Sequence, residues 1–229
     1  MKAVLLDALG TLVRLEPPAP RLRAHLAPLG IEVTEEQAAA AIAAEIRYYR
    51  SHLELGRDAR TLAQLRRDCA EALAAALPAT PATQALDLDA LTAALLASLE
   101  FTAFDDVRPA LTAWRERGLR LVVVSNWDVS LHEVLGRLGI TSLLDGILTS
   151  AEAGVSKPSA AIFERALRLA GSGPSEAVHV GDSFAEDVVG ARAAGIEPVL
   201  IVRGAAAAPT GVRTITSLRE LDPAAHSEP

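Results

Sequence analysis

The sequence predicts an α/β protein: a parallel sheet flanked by helices, with a helical domain inserted after the first strand. Three observations support this. Short apolar, β-branched runs alternate with helix-period segments through the C-terminal half, which is how βαβ units read. One more apolar run, at the N-terminus, is separated from them by helical texture without strand-like alternation. Polar groups follow several of the apolar runs directly, at Asp7, at Ser125-Asn126 and at Gly181-Asp182.

The first strand is the run Val4-Leu5-Leu6, which breaks at Asp7 and turns through Gly10. A carboxylate at the end of a central parallel strand sits where open α/β sheets bind ligands. Taken alone, Asp7 is equally well a turn residue. Glu16-Pro17-Pro18-Ala19-Pro20 then marks a break, because proline continues neither a helix interior nor a central strand. From about Arg21 to Glu100 the texture is helical. Thr34 and Gln37 form a capping-box pattern that opens a helix running to Leu55-Gly56. A second helix spans roughly Asp58 to Leu77, with Pro81 in the following loop, and a third runs from about Asp87 to Leu99. The alanine runs are read as helix-favouring filler and close helix packing.

From Phe104 onward the texture changes. A helix enters at Val107 and ends at Arg117-Gly118, and the strand Leu119–Val124 stops at Ser125-Asn126. A helix over Ser130–Leu138 follows, with Ser130 and Glu133 as a capping pair. Gly146–Thr149 is a shorter strand, 158–170 a helix, and Ala177–Val180 a strand ending at Gly181-Asp182. Ser183 and Glu186 open another helix, which runs to Gly195. Pro198–Val202 is the last strong strand, followed by a weak one at Arg213–Ile215 and a short final helix. His226 falls in a polar tail expected to be disordered.

Half of the 229 residues are hydrophobic, with few aromatics, so the core must be built from Leu, Ala, Val and Ile. A net charge of −7 without a basic block argues against a nucleic-acid binder. Cys69 is the only cysteine, which allows no internal disulfide and suits a reducing cytosol. Asp7 interrupts the N-terminal apolar run, so neither a secretory signal nor a membrane span is expected. The expected location is cytoplasmic, as a monomer or homodimer.

In a parallel sheet the strand ends share one edge, so Asp7, Ser125-Asn126 and Asp182 converge there, joined by Lys157 from the segment before Pro158. Asp187, five residues past Asp182, can face the same pocket. The alternative is a solvated surface ion network. Asp7-Ala8-Leu9-Gly10-Thr11, Ser125-Asn126, Lys157-Pro158 and Gly181-Asp182 with Asp187 resemble the four ordered motifs of the haloacid dehalogenase-like hydrolase superfamily. The inserted helices resemble that superfamily's helical cap. The resemblance covers nearly the whole chain. It implies a Rossmann-like core over 1–15 and 104–229, a cap over 16–103, and the strand order third, second, first, fourth, fifth.

The resemblance also implies roles. Asp7 would be the nucleophile of a covalent aspartyl intermediate. Ser125 and Asn126 would hydrogen-bond the transferring group, and Lys157 would neutralise Asp7 and the substrate anion. Mg²⁺ would be held by Asp7, Asp182, Asp187 (directly or through water) and the backbone carbonyl of Leu9. Beside these, Gly10 and Thr11 are expected to offer backbone and hydroxyl donors to the substrate anion. Trp127 lines the pocket mouth or packs in the core. His179, inside an apolar strand, is read as a core histidine. His25, His52 and His132 show no metal-ligand spacing, and Tyr48 and Tyr49 are read as packing or contact residues on a cap helix.

One departure matters. Phosphatases of this superfamily carry a second aspartate two residues after the first, as general acid and base; here that position is Leu9. Such help is worth about 10²–10⁴-fold, so poor leaving groups should be hydrolysed slowly. The expected activity is Mg²⁺-dependent hydrolysis of a small phosphorylated metabolite. Two rivals remain. A 2-haloacid dehalogenase also lacks that aspartate, but needs no metal and carries neutral residues in the fourth motif. It would also want an arginine for the substrate carboxylate, and Arg14, Arg21 and Arg23 are better read as surface residues. The other rival is a non-catalytic protein that binds a phosphorylated ligand or a partner.

Overall fold

The computed structural model describes residues 1–204 and 209–222; the expectation for His226 lies outside the described residues. The chain divides into two compact units, Met1–Arg14 with Ala103–Pro229, and Leu15–Thr102.

The first unit is a six-stranded parallel sheet. Its strands are β1 (Ala3–Leu6), β4 (Arg120–Ser125), β5 (Gly146–Thr149), β6 (Ala177–Gly181), β7 (Glu197–Ile201) and β8 (Arg213–Ile215), in the order β5-β4-β1-β6-β7-β8. The expected order holds, with the weak sixth strand added beyond the fifth. Every residue of β1 is buried, as befits a central strand covered on both faces. Leu6 of β1 pairs with Val123 of β4 on one side and Val180 of β6 on the other. The strand ends therefore lie level, and the residues that follow them, Asp7, Ser125-Asn126 and Asp182, start from one edge.

Helices α6 (Val107–Glu116), α7 (Leu131–Arg137), α9 (Ala160–Ala170) and α10 (Val189–Ala193) belong to this unit, with a single turn α8 (Ser150–Ala153) before the lysine loop. Helix α9 buries Ile162, Phe163, Ala166 and Leu167 in one cluster with Leu5, Val122 and Val124. The larger of these side chains each contribute about 1.5–3 kcal/mol on burial.

The helical unit holds α1 (Pro18–Leu26), α2 (Glu35–His52), α3 (Ala59–Ala76), α4 (Pro81–Gln84) and α5 (Leu88–Ser98). The Thr34–Gln37 capping box is present in both directions. Leu22, Leu26, Ala38, Ala41, Leu65, Ala70, Leu73 and Leu95 form its core. Alanine on the buried faces of α2 and α3 lets two long helices approach closely.

Several local expectations need correction. The proline cluster opens a helix rather than only ending a strand: Pro18 and Pro20 lie in the first turn of α1, where a missing N–H costs no hydrogen bond. Pro81 likewise begins a short helix instead of lying in a loop. Two short strands absent from the expectations, β2 (Val13–Leu15) and β3 (Phe101–Ala103), pair as a two-stranded sheet. Ser130 does not cap its helix; Asp128 accepts from the Ser130 N–H at 2.7 Å instead. Ser183 accepts from the Glu186 N–H, but the turn it opens is a π-helical one over Phe184–Val188.

Candidate active site

Asp7 extends β1 by one residue, with its N–H on the Val180 carbonyl at 2.9 Å. Ser125, the last residue of β4, donates its hydroxyl to Asp7 Oδ1 at 3.0 Å. Lys157, from the loop between α8 and α9, places Nζ 2.6 Å from Asp7 Oδ1 and 2.6 Å from Asp187 Oδ1. All four side chains are buried. Asp7 Oδ2 has no protein donor among the described residues. Asp187 is the better satisfied carboxylate: Oδ1 also accepts from His179 Nε2 at 2.8 Å, and Oδ2 from the Ser183 N–H at 2.9 Å.

Those donors explain why two carboxylates sharing one lysine differ in acidity. Burial drives the Asp7 carboxyl above its ordinary value, and Lys157 and Ser125 only partly oppose it. Burial acts on Asp187 too, but Lys157 and His179 outweigh it and hold the group below the usual carboxylate range. Burial disfavours the Lys157 ammonium, yet the charges of Asp7 and Asp187 prevail and keep it protonated. Asp182 is more exposed. Partial desolvation first, then the charges of Asp7 and Asp187, push its carboxyl up to about 7.

Asp7, Asp182 and Asp187 can each bring one carboxylate oxygen within 4.8 Å of the others. Two oxygens on opposite sides of a magnesium ion stand about 4.2 Å apart, and the ion prefers oxygen donors. The set therefore fits a hard divalent cation with small adjustment, and the mutual repulsion that raises the Asp182 pKa is what such a cation relieves.

Two glycines make these approaches possible. A Cβ on Gly10 would stand 2.0 Å from Asp182 Oδ2, and Gly10 adopts a φ of +80° that side chains rarely take. A Cβ on Gly181 would stand 2.1 Å from Asp187 Cγ.

The backbone N–H groups expected to serve the substrate anion are engaged within the protein. The Gly10 N–H is engaged by the Val13 carbonyl at 2.8 Å, so this glycine supplies space, not a donor. Thr11 is fully buried and its N–H turns to the Ala8 carbonyl, while its hydroxyl oxygen has no hydrogen-bond partner among the described residues. Trp127 is only 7% exposed, with its indole N–H toward Ser130, which favours the packing alternative. The Asn126 amide is engaged by the backbone of Lys157 and by Glu186. Leu9 follows Asp7 by two residues and is 39% exposed. Two residues do more than the sequence assigned them: His179, read as a core histidine, also donates to Asp187, and Glu186, read as the capping partner of Ser183, also accepts from the Asn126 amide.

A family model for haloacid dehalogenase-like hydrolases matches residues 1–195, from the first strand through the Asp182–Asp187 turn. The chain belongs to the haloacid dehalogenase-like hydrolases. Among curated members, human haloacid dehalogenase-like hydrolase domain-containing protein 3 is 46% identical over 98 residues, covering 43% of this chain and 39% of that protein. A glyceraldehyde 3-phosphate phosphatase from Methanothermobacter thermautotrophicus is 40% identical over 99 residues, covering 43% of this chain and 44% of that protein. The matched stretch thus spans less than half the length of either relative. Among solved structures, a 2-haloacid dehalogenase from Pseudomonas syringae is 26% identical with a TM-score of 0.65, covering 95% of both chains. This haloacid dehalogenase-like fold therefore hosts both chemistries, and the residues of the site must separate them. No helix among the described residues is long and apolar enough to cross a membrane.

Proposed function

We propose that this hydrolase is a magnesium-dependent phosphatase acting on a small phosphorylated metabolite. The observation that carries this reading is the acidic set Asp7, Asp182 and Asp187. Without a cation, three carboxylates repel a phosphate ester. Chemistry on a neutral carbon–halogen bond gains nothing from Asp182 and Asp187. The glyceraldehyde 3-phosphate phosphatase named above, and a ribulose-1,5-bisphosphate 5-phosphatase from Halopiger xanaduensis that is 36% identical over 102 residues, support phosphorylated sugars and related metabolites as the substrate class.

Asp7 Oδ2 attacks phosphorus, and the bond from phosphorus to the leaving oxygen breaks with its electron pair going to that oxygen. Water then attacks the phosphoryl group and restores the carboxylate. Lys157 lets the Asp7 carboxylate and an anionic phosphoryl group stand together, and it fixes Asp7 Oδ1 so that Oδ2 points to the reaction. Ser125 holds the same oxygen from the other side. Asp7, Asp182 and the Leu9 carbonyl would hold the magnesium ion, with Asp187 reaching it directly or through water. The ion's chemistry is neutralisation of charge that develops on the phosphoryl oxygens. Leu9 donates no proton, so the leaving group must take one from water. Good leaving groups are therefore favoured.

The 2-haloacid dehalogenase reading is favoured by Leu9 alone, because halide departs without a proton. Incubation with an aryl phosphate, with and without Mg²⁺, and separately with 2-chloropropionate, tests the choice. Metal-dependent phosphate release is expected. Metal-independent chloride release would assign the chain to dehalogenation instead. Silence on both, with tight binding of a phosphorylated ligand, would make it a non-catalytic binder.

A further inference from the structure

The side chain of Asn126 reads both backbone groups of one residue. Its Oδ1 accepts from the Lys157 N–H at 2.8 Å, and its Nδ2 donates to the Lys157 carbonyl at 3.1 Å. The remaining donor of the same amide goes to Glu186 Oε2 at 3.1 Å. All the hydrogen atoms of that amide are therefore engaged within the protein, and none is left for an incoming phosphoryl oxygen. The three partners belong to three separate pieces of the site. Asn126 follows the serine that bonds Asp7. Lys157 lies in a loop outside any helix or strand, and Glu186 belongs to the turn Phe184–Val188 that carries Asp187.

We propose that Asn126, braced by Glu186, is a positioning residue that sets the backbone of Lys157, not a substrate ligand. The proposal rests on the roles given above to Asp7 and Lys157. Lys157 must deliver one ammonium to two carboxylates, each at 2.6 Å, from a segment without a backbone ladder of its own. The amide supplies the missing ladder. It pins the lysine N–H and C=O to the end of β4, the strand that also places Ser125. The Lys157 N–H and C=O set which way the amide faces, and Glu186 reinforces that orientation by accepting from the second Nδ2 hydrogen. The device acts on rate through geometry: a displacement near 1 Å at a reacting group costs up to about 10²-fold.

The test uses the full chain with N126A, E186A and E186Q, assayed on an aryl phosphate with Mg²⁺. In parallel, hydrogen exchange is read at the Lys157 amide. N126A is expected to lower kcat by about 10–100-fold with KM changed less than about threefold, since a positioning loss falls on turnover. The Lys157 amide should exchange faster than in the parent protein. E186A should lose less, and E186Q, whose side-chain oxygen still accepts from Nδ2, should recover most of that loss. A rise in KM at unchanged kcat would make Asn126 a substrate ligand and overturn the proposal, as would unchanged exchange at Lys157. If N126A fails to fold, the pair E186A and E186Q decides the matter: equal turnover in the two removes the proposed role. If the parent protein does not hydrolyse aryl phosphates, the phosphatase reading fails on its own. The exchange measurement then still decides the positioning role, faster exchange supporting it and unchanged exchange overturning it.

Discussion

Replacing Lys157 with methionine removes a cation from between two buried carboxylates and leaves a side chain of similar length. The lysine side chain is 1% exposed, against 7% for Asp7 and 2% for Asp187. Asp187 retains His179 and the Ser183 N–H, whereas Asp7 retains only Ser125. The uncompensated charge is therefore that of Asp7. Removing one partner of a buried pair costs about 3–5 kcal/mol, and the loss should fall in that range without metal at about pH 8. Its pH dependence has a definite sign. The folded Asp7 carboxyl already titrates above its ordinary 3.8, and losing Lys157 raises it further. A carboxyl with a raised folded pKa gives its full stability below its unfolded pKa, and that stability is lost as pH rises through the folded pKa. The deficit of K157M should thus be smaller in a parallel measurement at acidic pH, because the raised folded pKa favours the protonated Asp7 carboxyl there. Added Mg²⁺ should recover part of it at the higher pH, because it binds only the folded chain. Urea denaturation followed by tryptophan fluorescence is the assay. Both tryptophans, Trp114 and Trp127, are buried in the sheet-containing unit, so the signal reports the unit that was changed. A loss below about 1 kcal/mol, or an equal loss at both pH values, would refute this account of the lysine.

Three further outcomes are expected. Glu45 on α2 is 5% exposed, and burial pushes its carboxyl from 4.5 up to about 7 against the opposing hydrogen bond from Cys69. That gap is worth about 3 kcal/mol, lost as pH rises from the lower value through the upper; E45Q should gain up to that amount in denaturation above the upper value and remove the pH slope, and an unchanged slope would show that Glu45 is not its source. Gly10→Ala puts a methyl group where Asp182 now lies, so magnesium affinity by titration calorimetry should fall by about 10-fold or more, and equal affinity would count against Asp182 as a ligand. Leu9→Asp should raise turnover of an alkyl phosphate by up to about 10²–10⁴-fold, and no gain would mean that proton donation does not limit the parent protein.

Much of this was legible in the residues themselves. The strand-end polar groups follow from period and turn chemistry, and parallel pairing then forces them to one edge, as the level register of Leu6, Val123 and Val180 illustrates. What stayed hidden depends on contacts between segments distant in sequence. Gly10 reads as a backbone donor until its N–H is found on Val13, and its true function, room for Asp182, needs coordinates. The Asn126 amide looks equally fit for substrate or protein until Lys157 and Glu186 are seen to occupy it. The proline cluster was legible as a break ahead of helical texture, but that Pro18 and Pro20 form the first turn of that helix, which buries Leu22 and Leu26 in the helical core, needed coordinates.

The most direct measurement of the central claim is a rapid acid quench of the protein turning over an acyl phosphate with Mg²⁺, followed by peptide mass analysis. The account predicts one phosphoryl group on the peptide that contains Asp7, absent in Asp7→Asn and absent without the metal. Phosphate release at full rate with no adduct, or with the adduct on another residue, would contradict it.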